Sequence, residues 1–173
     1  SRLTWNTSLY KCYIYKGIAF RLRYPKTYVP GNGKKYPLFL FLHGSGERGT
    51  IYDNEYQLYL GGQNHNDAVS SGKFDGFLLY PQTSATSGIF NTTELGYILE
   101  LIENYLIPEV QVDPFRISVN GLSAGGFGTW KVFLLKPKLF ASVLPISNAS
   151  ETFAAQIDAN KFTRIWLFQG GLD

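Results

Sequence analysis

The sequence predicts an α/β fold in which a mostly parallel central sheet is flanked by helices. Short apolar runs typical of strands alternate with helical segments along the chain. Residues 37–42 are apolar at every position, as expected of a strand that is buried on both faces. A chain of 173 residues is long enough for one domain with a sizeable core. We therefore expect residues 1–173 to belong to a single domain.

The N-terminal part of the chain predicts an antiparallel hairpin. Two runs rich in aromatic and β-branched residues, within residues 13–24, are separated by Lys16 and Gly17. In the second run, apolar side chains alternate with Ala19, Arg21 and Arg23. This alternation predicts that one face of the hairpin is buried.

The remaining elements follow from apolar periodicity and from helix-capping residues. Asn91 and Glu94 form a capping-box pattern at the start of a long amphipathic helix, which we expect Pro108 and Val112-Asp113-Pro114 to end. A second helix follows Ser123. The predicted strands are residues 37–42, 76–80, 117–120, 141–146 and 164–168, with a short helix over 151–160. Right-handed crossovers join parallel strands of this kind.

Two polar segments between the first two core strands leave their roles open. Residues 52–60 contain three tyrosines and are either a short helix or a lip that contacts a substrate group. Ordinary packing under a long loop is the favoured interpretation. His65 lies in a polar run, residues 63–67, which we interpret as a solvent-exposed loop.

Composition excludes several classes of function. The net charge of +3 and the absence of a basic run argue against nucleic acid as a partner. No apolar run approaches the ~20 residues of a membrane span, and we expect no N-terminal signal segment. Cys12 is the single cysteine, so no intrachain disulfide can form.

The same sequence shows no metal-ligand spacing and no phosphate-binding loop. We therefore expect no metal and no cofactor. The oligomeric state stays open, and a secreted or periplasmic location is favoured over a cytoplasmic one.

The most informative motif is the pattern Gly-x-Ser-x-Gly at residues 121–125. A β-branched run precedes it and a helix start rich in small residues follows it. In that context the motif predicts a nucleophile elbow, a sharp strand-to-helix turn that presents the Ser123 hydroxyl above the sheet. Gly121 and Ala124 fit this prediction because a larger side chain would strike the adjacent elements. The alternative is a glycine-rich turn with an incidental serine.

A second informative stretch, residues 43–49, follows the strand 37–42. Its His-Gly start and its glycines can aim a backbone N–H into the crevice above the sheet, where an acyl-transfer oxyanion would need a donor. The alternative is an ordinary strand-to-helix turn. For His43 we favour a structural role, in which its ring ties the loop together by hydrogen bonds. Ligands bind at the carboxyl ends of such parallel strands, where Gly44, Ser123 and Asp173 all fall.

Four blocks of sequence carry a family resemblance over nearly the whole chain. In chain order they are residues 41–49, 112–117, 121–130 and 166–173. On these residues the sequence resembles the α/β-hydrolase superfamily, closest to its phospholipase/carboxylesterase-like, prolyl-oligopeptidase-related esterases. The resemblance implies an α/β-hydrolase fold with Ser123 as nucleophile and Asp173 as the triad acid. It also implies that the N–H of Ala124 is one oxyanion donor, and that Ser45, or else Gly44, gives the second.

The chain departs from that family at the catalytic histidine. The triad order in this fold is serine, acid, histidine, whereas His43 and His65 both precede Ser123. Gln169 also stands where the family often has histidine. No residue of this chain is therefore assigned as the catalytic histidine. We expect that a C-terminal part is missing, and that residues 1–173 alone are weakly active or inactive.

The function predicted on this basis is hydrolysis of carboxylic esters through acylation of Ser123. The expected substrates are small-molecule or polymer-linked esters. The alternative is a non-catalytic domain of the same fold that binds a ligand or partner over the same crevice, without a triad histidine. The acyl group and the alcohol stay open at this point.

Overall fold

The computed structural model describes residues 3–147 and 163–165, and within these residues seven strands form one sheet. The strands lie in the order β1-β2-β4-β3-β5-β6-β7. Pairing is antiparallel for β1–β2 and β2–β4 and parallel for the other neighbours, so the predicted fold class is confirmed. The strands are β1 Tyr10–Tyr15, β2 Ile18–Arg23, β3 Tyr36–Leu42, β4 Phe77–Pro81, β5 Val112–Leu122, β6 Ser142–Ile146 and β7 Arg164–Ile165.

The predicted hairpin is present as β1 and β2. Lys16 and Gly17 form its two-residue turn with φ of 47° and 79°, the left-handed conformations that such a turn requires. Phe20 and Leu22 are buried in the core, as the alternation predicted. The opposite face is also partly covered, since Ala19 is buried.

Four helices flank the sheet in the described part of the chain. They are α1 Gly62–Ser70, α2 Thr92–Leu101, α3 Ile107–Val110 and α4 Ala124–Leu135. The capping box at Asn91 and Glu94 is confirmed, with both of its hydrogen bonds present. The predicted short helix over 151–160 and the end of the last predicted strand, 166–168, lie outside the described residues.

Of the residues predicted to end this helix, Pro108 does not do so, whereas Val112-Asp113-Pro114 lies in β5, directly beyond the end of the helix. A π-helical turn, Ile102–Leu106, follows α2, and the helix then continues through α3 to Val110. Pro108 is the second residue of α3, which follows the π-helical turn directly, so the regular hydrogen-bond ladder of an α-helix is already interrupted there. Gln111, with φ of 71°, ends the helix instead.

The core consists of two layers of side chains, one on each face of the sheet. On one face, strand residues such as Leu40 and Leu42 belong to the same buried cluster as Leu95 of α2 and Trp130 of α4. On the other face, a smaller buried cluster contains Phe41 of β3, Leu78 and Tyr80 of β4 and Val69 of α1. This sandwich fixes β3 and β5 as central strands whose carboxyl ends open at one edge. Across the described ranges, no helix is long and apolar enough to cross a bilayer.

Candidate active site

Ser123 occupies the turn between the end of β5 and the start of α4. Its backbone has φ of 55° and ψ of −115°, and the residue is exposed. Its N–H donates to the carbonyl of Ile146 at 2.9 Å, and its carbonyl accepts from the Phe127 N–H at 3.1 Å. A positive φ in a non-glycine residue costs about 1–3 kcal/mol, so it persists only where the surroundings impose it. The residue predicted to stand in a strained strand-to-helix turn does so.

Two glycines show what imposes this conformation. A Cβ on Gly121 would lie 2.0 Å from the carbonyl oxygen of Gly125, and a Cβ on Gly125 would lie 1.8 Å from that of Leu42. Both contacts are with backbone atoms, which cannot move aside as a flexible side chain could. The start of α4 is therefore pressed against the ends of β5 and β3. The prediction that only small residues fit around Ser123 is confirmed at both glycines.

The loop after β3 lies beside the Ser123 turn because β3 and β5 pair in parallel, with Leu42 opposite Gly121. Gly44 is buried, and a Cβ on it would lie 3.5 Å from the carbonyl oxygen of Leu122, the residue before the serine. Ser45 is exposed at the start of a 3-10 turn, Ser45–Glu47. The strands that lead to Gly44 and Ser123 are therefore neighbours in the sheet.

His43 supports this loop from within. It is fully buried, its Nδ1 lies 2.7 Å from the carbonyl oxygen of Gly44, and its Nε2 accepts from the Thr83 N–H at 3.1 Å. Because Nε2 accepts, Nδ1 carries the proton and donates. Burial lowers the pKa of His43 to about 4, so the ring is neutral near pH 7. The structural role predicted for His43 is confirmed.

The prediction that His65 lies in a solvent-exposed loop was wrong. His65 belongs to α1, is half-buried, and its Nδ1 forms a short hydrogen bond with the hydroxyl of Tyr80. Its ring packs against Phe39 and Phe41 of β3, with centroids 4.9 and 5.9 Å away. Tertiary packing thus overrides the polar character of the segment. Gly61 leaves room for the ring, since a Cβ there would lie 2.9 Å from the His65 Cε1.

The segment 52–60 is only partly packed under the loop, and its role as a substrate-contacting lip stays a prediction. Its only regular element is a 3-10 turn, Tyr56–Leu58, in which Leu58 is fully buried as packing requires. Tyr56 and Tyr59 stack on each other with centroids 5.0 Å apart. Tyr52 is 92% exposed and does not serve as packing under the loop.

Two residues near the site were not singled out from the sequence. Gly88, with φ of 72°, packs so closely on Ser45 that a Cβ would lie 2.4 Å from the Ser45 Cα. The Ser87-Gly88 pair does indicate a turn, but the partner of that turn is 43 positions away and leaves no local signal. Glu47 is the second, since its side chain is buried although its segment is polar and rich in glycine.

Asp173, the predicted triad acid, lies outside the described residues. Among the described residues, no group of three or more His, Cys, Asp or Glu side chains could hold a metal ion. The site that the structure brings together therefore consists of Ser123, Ala124 at the start of α4, and the Gly44–Ser45 loop. It leaves His65 apart from them.

Comparison with solved structures gives the fold an independent basis. A crystal structure of a thermostable esterase aligns with a TM-score of 0.74 and 28% identity, over 93% of this chain and 46% of that one. The chain has the α/β-hydrolase fold. It spans about half the length of that esterase, since the alignment covers 46% of the esterase chain.

Two further α/β-hydrolase structures agree with this result. The feruloyl esterase module from Clostridium thermocellum aligns with a TM-score of 0.64 and 16% identity, covering 94% of this chain and 66% of the other. An S-formylglutathione hydrolase from Staphylococcus aureus gives a TM-score of 0.56 and 19% identity, over 86% and 59% of the two chains. The chain matches no family model and no curated protein. These two alignments support the same fold.

Proposed function

We propose that the protein is a serine hydrolase of carboxylic esters in which Ser123 is acylated. The observation that carries this proposal is the strained, exposed turn at Ser123, held in place by Gly121 and Gly125. Strain of this kind concentrates at functional sites because nothing in folding alone rewards it. In an esterase it presents the hydroxyl at the N-terminal end of α4, where the helix dipole favours negative charge.

The backbone of the Gly44–Ser45 loop supports an oxyanion site. The Gly44 carbonyl accepts from the His43 ring at 2.7 Å and from the Glu47 N–H at 3.2 Å. In a trans peptide the N–H points opposite to the C=O, so the N–H of Ser45 points away from His43. The N–H of Gly44, in contrast, faces the Glu47 carboxylate. Of the two alternatives for the second donor, we therefore propose Ser45 rather than Gly44.

The other donor in this proposal is the N–H of Ala124. As the first residue of α4, Ala124 carries one of the N–H groups that have no partner within the helix. Two such donors aimed at one point stabilise the negative charge that develops on the carbonyl oxygen. Removal of a single donor of this type costs about 10²–10³-fold in kcat.

Neither histidine among the described residues is placed to act as the general base. Both ring nitrogens of His43 are occupied by the loop and by Thr83. His65 packs at the level of Phe39, whose partner on β5 is Ser118, five residues before Ser123. At about 3.3 Å per residue this is roughly 15 Å from the edge where Ser123 stands. We propose that the base belongs to natural chain beyond residues 1–173 and that Asp173 orients it.

The proposed reaction has two halves. The Ser123 hydroxyl attacks the ester carbonyl while the base removes its proton, and the oxyanion forms against the N–H groups of Ala124 and Ser45. Collapse expels the alcohol, which takes the proton from the base, and leaves an acyl-serine ester. Water, activated by the same base, then hydrolyses this ester and regenerates the serine.

The test uses the longest natural form of the protein that contains residues 1–173. Ester turnover is measured with p-nitrophenyl esters of graded chain length, in wild type and in Ser123→Ala. We expect Ser123→Ala to lower kcat by on the order of 10⁵-fold, because the nucleophile is lost. The matched control is Ser118→Ala, on the same strand, whose hydroxyl accepts from Ser142 at 2.6 Å. Ester turnover that survives Ser123→Ala would contradict the proposal.

A second function is favoured by one observation, namely that neither histidine of the chain serves Ser123 in the structure. In that case the protein is a non-catalytic domain that binds a ligand over the same crevice. The two functions separate in one experiment, because a binding domain forms no acyl-serine. Mass spectrometry of wild type after mixing with an activated ester would then show no covalent adduct at Ser123.

A further inference from the structure

Glu47 ends the short 3-10 turn beside the proposed oxyanion site, and its side chain folds inward. The residue is only 8% exposed, although a glutamate on an exposed loop would ordinarily extend into water. Its Oε2 lies 3.0 Å from the position that a Cβ of Gly44 would take. Among the described residues, this oxygen has no hydrogen-bond partner. The carboxyl group is therefore held against the backbone of Gly44.

This carboxyl group is surrounded mainly by backbone atoms of its own loop. Burial raises the pKa of Glu47, while the N–H groups of Gly44 and of Glu47 itself lower it by a smaller amount. The neighbouring cation, Arg48, donates instead to the carbonyl of Ser45 at 3.0 Å. The main chain of Glu47 is fixed from the other side, since Gln82 donates to its carbonyl at 3.2 Å.

A buried carboxylate with so few partners is costly to fold, because a charged group loses its hydration there. A leucine or methionine would fill the same space without that cost. What only a carboxylate offers is a negative charge that attracts a nearby backbone N–H. In this loop, the N–H in question is that of Gly44, the alternative to Ser45 as the second oxyanion donor.

We propose that Glu47 is a positioning residue for the oxyanion site. Its carboxylate lies against Gly44 and attracts the Gly44 N–H toward the inner side of the loop without a hydrogen bond between them, while the His43 ring donates to the Gly44 carbonyl. With both groups held, the following peptide has one orientation, in which the Ser45 N–H faces the Ser123 turn. Glu47 does not touch the substrate in this arrangement and acts through the backbone alone. This inference rests on the proposed esterase function.

The decisive variants are Glu47→Leu and Glu47→Gln, in the longest natural form of the protein. Glu47→Leu removes the charge but fills the space, so we expect kcat for p-nitrophenyl acetate to fall by about 10²-fold with KM changed less than twofold. We expect its melting temperature to stay the same or to rise, since a buried charge is removed. Glu47→Gln keeps a polar oxygen without the charge, and we expect a loss of about tenfold.

An inhibitor that mimics the tetrahedral oxyanion gives a second readout. An alkyl boronic acid adds to a catalytic serine and places an oxygen in the oxyanion site, so its affinity reports on the donors directly. We expect Ki for the boronic acid to rise in parallel with the loss of kcat/KM in both variants. A residue that merely stabilised the fold would leave Ki unchanged in a folded variant.

Two controls separate this inference from the function on which it rests. Asn66→Ala removes a buried polar group of α1 that accepts from Arg23 at 2.9 Å, and we expect it to lower stability without lowering kcat. Ser123→Ala tests the esterase itself. If Ser123 is essential and Glu47→Leu keeps kcat within twofold, the role of Glu47 is overturned while the function stands. If Glu47→Leu does not fold, Glu47→Gln decides, and an unchanged kcat overturns the proposal.

Discussion

The Ser123 turn and the Gly44–Ser45 loop lie side by side at the same edge of the sheet, but different forces hold them. Around Ser123 the contacts are steric and involve backbone atoms, with glycine at each position where a Cβ would overlap a carbonyl. Around Gly44 the contacts are hydrogen bonds from side chains, chiefly from His43 and Gln82. The first region admits one conformation. The second has a conformation that depends on protonation and on polar partners.

This difference determines how each region should respond to change. Steric exclusion by backbone atoms is all or none, because close-packed interiors do not yield gradually. A loop held by hydrogen bonds loses about 1–3 kcal/mol for each buried group left unsatisfied, and it can adjust in steps. The turn should therefore tolerate almost no substitution, whereas the loop should respond in degrees.

The largest effect is expected from Gly125→Ala in the Ser123 turn. Its Cβ would lie 1.8 Å from the Leu42 carbonyl oxygen, so either β3 or α4 must shift. We expect a loss of about 3 kcal/mol or more in the free energy of unfolding, and loss of ester turnover in any molecules that fold. Chemical denaturation of the natural-length protein measures the first quantity.

Gly96→Ala is the matched control for that variant. Gly96 lies in α2, and a Cβ there would meet nothing within 4 Å. Alanine favours a helix interior over glycine by about 1 kcal/mol, so this variant should be stabilised. Equal stability of Gly125→Ala and Gly96→Ala would show that the Ser123 turn can rearrange to accommodate a Cβ, contrary to this prediction.

The strained turn was predictable because its cause is local in sequence. The motif at residues 121–125 contains both glycines and the serine, and the strand and helix on either side are visible as apolar patterns. The hairpin turn at Lys16-Gly17 and the capping box at Asn91 were predictable for the same reason. In each case, the residues that make the structure stand within four positions of one another.

The loop was predictable only in outline, because its partners are distant in sequence. Gln82 and Thr83, which hold Glu47 and His43, lie 35 and 40 positions away. Nothing in a polar run predicts that its glutamate is buried, and nothing local shows that α1 places His65 on β3. The helix continuing past Pro108 was missed because a π-helical turn has no simple sequence pattern.

The pH dependence of stability should reveal the hydrogen-bonded character of the loop. Burial lowers the pKa of His43 to about 4, from an ordinary value near 6.5. Between these values the unfolded chain binds a proton that the native protein does not, so stability falls as pH falls from 6.5 to 4. Over this pH range, His43 should lower the free energy of unfolding by about 3 kcal/mol.

The measurement compares wild type with His43→Gln by denaturation at several pH values between 4 and 7. Glu47 contributes in the opposite direction, because its raised pKa lets the native protein bind a proton that the unfolded chain releases. His43→Gln removes only the histidine contribution, so its stability should fall less steeply than that of wild type on acidification. Parallel curves for the two proteins would rule out a buried neutral ring at position 43.

A smaller effect is expected from Gly88→Ala, which acts on the loop from outside. The alanine must adopt φ of 72°, which costs about 1–2 kcal/mol, and its Cβ would press on the Ser45 Cα. We expect kcat to fall about tenfold, because the Ser45 N–H moves. Gly72→Ala is the matched control, with φ of 81° and nothing within 4 Å. It should lose similar stability and keep its kcat.

The smallest effect is expected from His65→Gln, which tests whether the second histidine serves Ser123. The ring of His65 packs on Phe39 and forms a hydrogen bond with Tyr80, near the middle of the strands rather than at their carboxyl ends. If the base lies beyond residues 1–173, ester turnover by the natural-length protein should change less than twofold. Glutamine keeps a polar group near the Tyr80 hydroxyl, so the fold should survive. A folded variant without turnover would make His65 the base, and α1 would then have to move His65 by roughly 15 Å along the strand direction. The Ser123 turn cannot move toward His65 instead, because its steric contacts allow it only one conformation.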